Sequence, residues 1–231
     1  MKGTLLNTAT VAVGSVLGLL VGTALPATLA PVAIGALGLV TVGMGLKMFL
    51  AARNPVIVAG ALVVGGVLGT LLGLPPGLEF FAELLKKSVG GGGSFVEGFV
   101  TASVLFCVGP MTILGCIEDG LTGRSETLQL KATLDGVAAF FFATGLGIGI
   151  LFSALSVLVV QGAITLLAHP LRPLRDRPEA LAELTGVGGT ILLAIGLGLL
   201  EIKKLPTANF LPALVLAPAA AWWLGRKKVS L

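Results

Sequence analysis

The chain has 231 residues, of which 55% are apolar and 11% charged, with 34 glycines and a mean hydropathy of +1.05. Soluble domains carry roughly 25% charged residues, so these figures exclude an ordinary soluble enzyme and a disordered chain. The net charge of +4 is no nucleic-acid footprint, because Lys and Arg sit in short clusters between apolar runs, as in the cytoplasmic loops of membrane proteins.

Uncharged runs near the length that crosses ~30 Å of hydrocarbon recur along the whole chain. They predict an all-α polytopic membrane bundle with helices over 4–24, 29–51, 55–73, 95–116, 131–151, 154–168, 182–202 and 206–224. The run from Met1 to Ala24 is longer than a secretory signal core and further runs follow it, so it reads as the first span. Pro26 and Pro31 mark the first turn, Asn54-Pro55 the second, Pro75-Pro76 the third and Leu205-Pro206 the last. Residues 75–89 read as an interfacial amphipathic helix, with Glu79, Glu83 and Lys87 at i,i+4 spacing and Leu78, Phe81 and Leu85 on another face. Gly90 to Gly93 form a linker, and Pro170, Pro173 and Pro178 punctuate the one clearly polar loop.

Eight crossings put eleven basic residues on the N-terminal side (Lys2, Lys47, Arg53, Arg124, Lys131, Arg172, Arg175, Arg177, Arg226, Lys227 and Lys228). Four lie opposite (Lys86, Lys87, Lys203 and Lys204). That bias predicts both termini in the cytoplasm. The alternative is seven spans plus a re-entrant segment over 95–116, which turns the count into five against ten.

Two internal matches stand out. Gly38 to Pro55 aligns without gaps on Gly189 to Pro206, with Gly45-Leu46 on Gly196-Leu197 and Arg53 on Lys204. In the eight-span topology these hairpins point in opposite directions, the arrangement of inverted transporter repeats. The matches set candidate repeat halves at 1–90 and 95–231 within a single transmembrane domain, 1–231. The second match lays Ser103, Gly109 and Thr112 on Ser156, Gly162 and Thr165.

Polar groups inside apolar runs are the informative residues, since an ionisable group in a bilayer costs ~3 kcal/mol or more and tends to face a partner or a cavity. The uncharged stretch 136–168 is too long for one helix and too short for two. Fitting two pulls Asp135, with its i,i+4 neighbour Lys131, into the membrane; the plain alternative is a self-satisfied pair at the interface. Glu97 opens the segment 95–116 and reads either as interfacial or as lining a path. Gly109-Pro110 breaks that segment near Ser103 and Thr112, which is tolerated only against protein or a cavity. Glu118-Asp119-Gly120 reads as a helix end with solvated carboxylates. Asn7 and Gln161 are amides suited to interhelical hydrogen bonds, and Thr165 follows Gln161 by one turn.

Gly14, Gly18 and Gly22 share one helix face, as do Gly65, Gly69 and Gly73; small residues at that spacing let helices approach closely, within a chain or between copies. Cys107 and Cys116 read as packing residues, and with the single His169 they make no metal site. No HExxH, GxSxG or P-loop is present. The expectation is therefore no enzymatic activity and no cofactor.

Gly3-Thr4-Leu5-Leu6-Asn7, Phe106-Cys107-Val108-Gly109, Asp119-Gly120-Leu121-Thr122-Gly123, Leu134-Asp135-Gly136 and Gln161-Gly162 together resemble the YdfK/YqgA-like family. The resemblance implies a bacterial inner-membrane protein with several spans, described as a transporter without an assigned substrate. Pro110 departs from the small residue expected there. These readings converge on a homo-oligomeric transporter or channel for a small ion or solute, proton- or cation-coupled. Its path would be lined by 95–119 and 154–168 with Asn7, Glu97, Ser103, Gly109, Pro110, Thr112, Asp119, Asp135, Gln161 and Thr165. The rival is a non-transporting membrane scaffold or regulatory protein.

Overall fold

The structure is a computed structural model that describes every residue except 25, 27, 75, 78–79, 81–82, 85–86, 88–94, 108 and 229–231, with backbone alone at 30, 110 and 225–228. Among the described residues there are ten α-helices and no strand. They are α1 (Lys2–Ala24), α2 (Ala30–Phe49), α3 (Pro55–Leu71), α4 (Phe95–Cys107) and α5 (Pro110–Thr122), then α6 (Glu126–Leu146), α7 (Gly149–Leu166), α8 (Ala168–Arg175), α9 (Pro178–Leu199) and α10 (Ala213–Lys228). A 3-10 turn at Thr207–Phe210 precedes α10. The interfacial helix expected over 75–89 and the Gly90–Gly93 linker fall largely or wholly outside the described residues.

Among the described residues, five stretches are long and apolar enough to cross a membrane: Lys2–Ala24, Pro31–Phe49, Gly149–Leu166, Pro178–Leu199 and Thr207–Leu224. The α4–α5 pair, bent by 59° at its break, raises the number to six. The difference from eight lies in α3, which has 17 residues, and in α6, whose hydropathy is lowered by Gln129, Lys131 and Asp135. The outward faces show what surrounds these helices. On α1 the exposed side chains include Leu5, Val13, Leu17 and Leu20, whereas Thr4, Asn7, Gly14, Ser15 and Gly18 are buried. A soluble helix would be the other way round.

The chain forms two compact units, one of Met1–Leu37 with Glu79–Arg172 and one of Gly38–Leu78 with Pro173–Leu231. In the first, α1 and α6 run parallel. A Cβ on Gly14 would strike the Gly136 carbonyl, one on Gly18 the Phe140 carbonyl, and one on Gly22 lies 3.0 Å from the Thr144 carbonyl oxygen. Backbones this close require glycine at these positions. Helix α7 returns antiparallel to α1 after a turn at Gly147, whose φ of +76° suits only glycine. Helix α4 lies parallel to α7, with Gly149 against the Phe95 backbone and the aligned serines joined, Ser103 Oγ to Ser156 Oγ, at 2.8 Å.

The bent pair runs the length of this unit. Gly98 in α4 sits beside Leu146, where α6 ends, and Asp119 in α5 reaches Gly3, where α1 begins. The break also explains why the serine match does not extend: α5 swings away, so Gly120, and not Thr112, meets Thr165.

In the second unit α2 and α9 pack antiparallel through glycine. Gly38 faces Leu200, Gly45 faces Leu193, Gly189 faces Phe49 and Gly196 faces Val42. Helix α3 meets Ala213 and Asn209 through Gly65 and Gly69. Asn54 caps α3, its side chain accepting from the Val56 amide at 3.1 Å, and Pro55 occupies the first helical turn.

Candidate functional site

The site begins with a missing donor. In a continuous helix the Phe106 carbonyl would accept from the amide four residues on, which is Pro110 and has no N–H. The carbonyl is left at the end of α4, deep in the first unit, and side chains fill the vacancy. Thr112 Oγ1 donates to it at 3.3 Å and Lys131 Nζ at 2.8 Å.

Lys131 lies on α6, one turn before Asp135, and its ammonium pairs with Asp135 Oδ2. Asn7 Nδ2, from α1, donates to the same oxygen at 2.9 Å. Lys131 and Asp135 are 7% and 9% exposed, and Asn7 is fully buried. Asp135 stands near the middle of α6, so the pair is internal and does not fray at a helix end.

The polar column continues toward the start of α1. Thr4 Oγ1 and Thr165 Oγ1 are 3.2 Å apart. Asp119 Oδ2 accepts from the Gly3 amide at 3.1 Å and lies 2.9 Å from the Met1 amino group. Asp119 is 4% exposed, which corrects its reading as a solvated helix-end carboxylate: the start of α1 covers it. Gln161 is fully buried one turn from Thr165, on the side toward Asn7 in the antiparallel α1–α7 packing. Among the described residues, both of its amide atoms, Asn7 Oδ1 and Asp119 Oδ1 have no protein partner. Buried polar atoms of this kind are usually satisfied by water or a ligand.

Asn7, Thr112 and Asp135 thus meet beside the Gly109-Pro110 break through Lys131 and the Phe106 carbonyl, whereas Asp119 and Thr165 meet the start of α1 and Gln161 lies one turn from Thr165. Ser103 is held by Ser156 instead, and Glu97 sits half-buried in the first turn of α4, at its other end from Phe106. Sequence reasoning did not tie Lys131 to the Phe106 carbonyl; counting four residues back from Pro110 supplies that link. It also passed over Glu183 in the second unit. This carboxylate is 1% exposed and accepts from the Arg53 and Asn54 amides at 3.1 and 2.8 Å. Among the described residues no three His, Cys, Asp or Glu are grouped to hold a metal.

Residues 2–222 match the family described as "Protein of unknown function (DUF554)". The chain belongs to the DUF554 family. It is 31% identical over 222 residues to the Bacillus subtilis strain 168 protein named "Uncharacterized membrane protein YdfK", an alignment covering 94% of each chain. It is 32% identical over 230 residues to "Uncharacterized protein YqgA" of Escherichia coli strain K12, covering 96% of this chain and 97% of that one. The motif resemblance thus led to the right family. No solved structure matches this DUF554 chain.

Proposed function

We propose that this DUF554 protein is a transporter or channel of the bacterial inner membrane that moves a small ion or solute along the polar column, coupled to protons or a cation. The observation that carries the reading is a buried ion pair beside a broken helix, with unpaired Gln161, Asn7 and Asp119 atoms in line with it. Charge is expensive inside lipid, and where it persists it usually serves a path or a relay. Broken helices at membrane depth likewise line cavities or binding sites.

We read eight crossings, with α3, α4–α5 and α6 among them and both termini cytoplasmic. Alternation supports this: α1 and α6 run parallel, α7 opposes them, and α4–α5 passes from the α6 end to the α1 start. An inverted repeat supports it as well. Gly38 aligns on Gly189, and their contacts Leu200 and Phe49 align on each other by the same offset. Gly45 with Leu193 and Gly196 with Val42 obey the same relation. That is what a two-fold axis lying in the membrane plane would produce. Gly43 and Gly60 have open space at the Cβ position, which suits close contact with a second copy in a homo-oligomer.

The test is flux. Purified protein in liposomes should carry protons or monovalent cations, and Asp135→Asn should reduce that flux by tenfold or more. Absent flux, or an Asp135→Asn variant as active as the wild type, refutes the reading. One observation favours the scaffold reading: Lys131, Asp135 and the Asn7 amide nitrogen satisfy one another, as structural polar groups do.

A further inference from the structure

We propose that one end of the second unit, where the α2–α3 loop, the start of α9 and the end of α10 come together, is a docking surface for the phosphate headgroups of anionic phospholipid, with Arg177 as its central contact. The inference rests on the chain standing in a membrane and not on transport.

The depth of this surface follows from the spans. Arg177 is the residue before α9, whose Pro178–Leu199 is long and apolar enough to cross a bilayer, and Trp222 lies in the last turn of the stretch Thr207–Leu224. The Arg177 guanidinium stands over the Trp222 ring, 5.5 Å from its centroid. The pair ties the start of one span to the end of another, which is the level where a bilayer places its headgroups and where tryptophan collects. Arg53, in the loop after α2, joins the same end through Glu179 at 3.4 Å.

Charge decides the partner. Lys47, Arg53, Arg175 and Arg177 lie at this end, and the sequence adds Arg226-Lys227-Lys228 in the last turn of α10. The acidic groups here are Asp176, Glu179 and Glu183, of which Glu179 already pairs with Arg53 and Glu183 is buried against the loop backbone. Past the other end of α9 stand Glu201, Lys203 and Lys204, close to balance. Arg175 is exposed and Arg177 half-buried, and among the described residues no carboxylate pairs with either. Stacking engages the face of the Arg177 guanidinium and leaves its in-plane N–H groups for oxygen, a fork that matches two phosphate oxygens at once. A zwitterionic headgroup brings its own cation to a surface already positive, so an anionic one is favoured.

The chain has two tryptophans, Trp222 and Trp223, and no tyrosine, so its emission reports on this end alone. The full chain is placed in nanodiscs of phosphatidylcholine doped with nitroxide-labelled phosphatidylglycerol or nitroxide-labelled phosphatidylcholine, and the quenching by the two is compared. The wild type should favour phosphatidylglycerol about fivefold or more, the effect of at least one basic residue at the surface, and high salt should lower that ratio. Arg175→Gln/Arg177→Gln should cut the preference to about twofold or less. Arg177→Lys should fall between, because it keeps the charge and loses the fork. Lys203→Gln/Lys204→Gln, the same charge change at the other end, should keep the wild-type ratio. Equal quenching by the two lipids in the wild type overturns the proposal, as does a preference above about twofold in Arg175→Gln/Arg177→Gln. So does a preference erased by inorganic phosphate but not by sodium chloride at the same ionic strength, which would assign the site to free phosphate. Flux without a lipid preference keeps the transport reading and removes this one; a preference without flux does the reverse.

Discussion

Asp135 in the first unit and Glu183 in the second are both buried carboxylates, but they are satisfied by different kinds of partner. Glu183 is held by two backbone amides of the loop that enters α3; those donors cannot leave without unmaking the loop. Asp135 is held by a lysine and an asparagine side chain, which can rotate away. Among the described residues each also has an unpartnered polar atom at hand, Asn7 Oδ1 beside Asp135 and Glu183's own Oε2. Equal burial therefore says little about role. Glu183 is tied to a loop backbone, and Asp135 is held by side chains from two helices.

Substitutions can break or sharpen that contrast. The largest effect belongs to neither carboxylate. Gly18→Leu drives a side chain into the Phe140 carbonyl and Ala143 and should cost about 3 kcal/mol of unfolding free energy in mild detergent. Gly43→Ala, in open space, should stay within about 0.5 kcal/mol. Next is Glu183→Ala, which strands two amides and should cost roughly 2 kcal/mol, with flux per folded molecule unchanged; a flux defect at normal stability would dissolve the contrast. Asp135→Asn should lose tenfold or more in flux per folded molecule, about 1.4 kcal/mol, and its unfolding midpoint should fall too, because the buried Lys131 loses its counter-ion. Smallest is Ser103→Ala, which removes the Ser156 hydrogen bond and should cost about 0.6 kcal/mol without altering flux.

Much of this arrangement was legible in the residues. Asn54-Pro55 predicts a helix start, and α3 begins there with Asn54 as its cap. The length of the uncharged stretch 136–168 demands a turn inside it, expected between the helices 131–151 and 154–168; the turn comes earlier, at Gly147, whose positive φ ends α6 at Leu146 and leaves Asp135 within it. The break at Gly109-Pro110 is equally plain. Contacts distant in sequence were not legible. Nothing near Asp119 marks it as buried, because its cover is Gly3, 116 positions away. Glu183 looks like an ordinary first-turn acid until the loop 130 positions upstream is folded against it. The glycine faces show that helices approach closely, but the spacing does not choose their partners; that choice depends on carbonyls of another helix.

The position of Lys131 one turn before Asp135 on a single helix also bears on how the protein enters its membrane. A segment leaving the ribosome carries both charges at once, and they can neutralise each other while the helix forms. Asn7 is already in place, 128 positions earlier, so α6 has a docking partner on α1 before α7 is synthesised. On the proposed eight-crossing reading, α6 would then enter the membrane with this pair balanced and Glu126 left at its first turn. Splitting the pair between two helices would expose each ion to lipid alone during biogenesis.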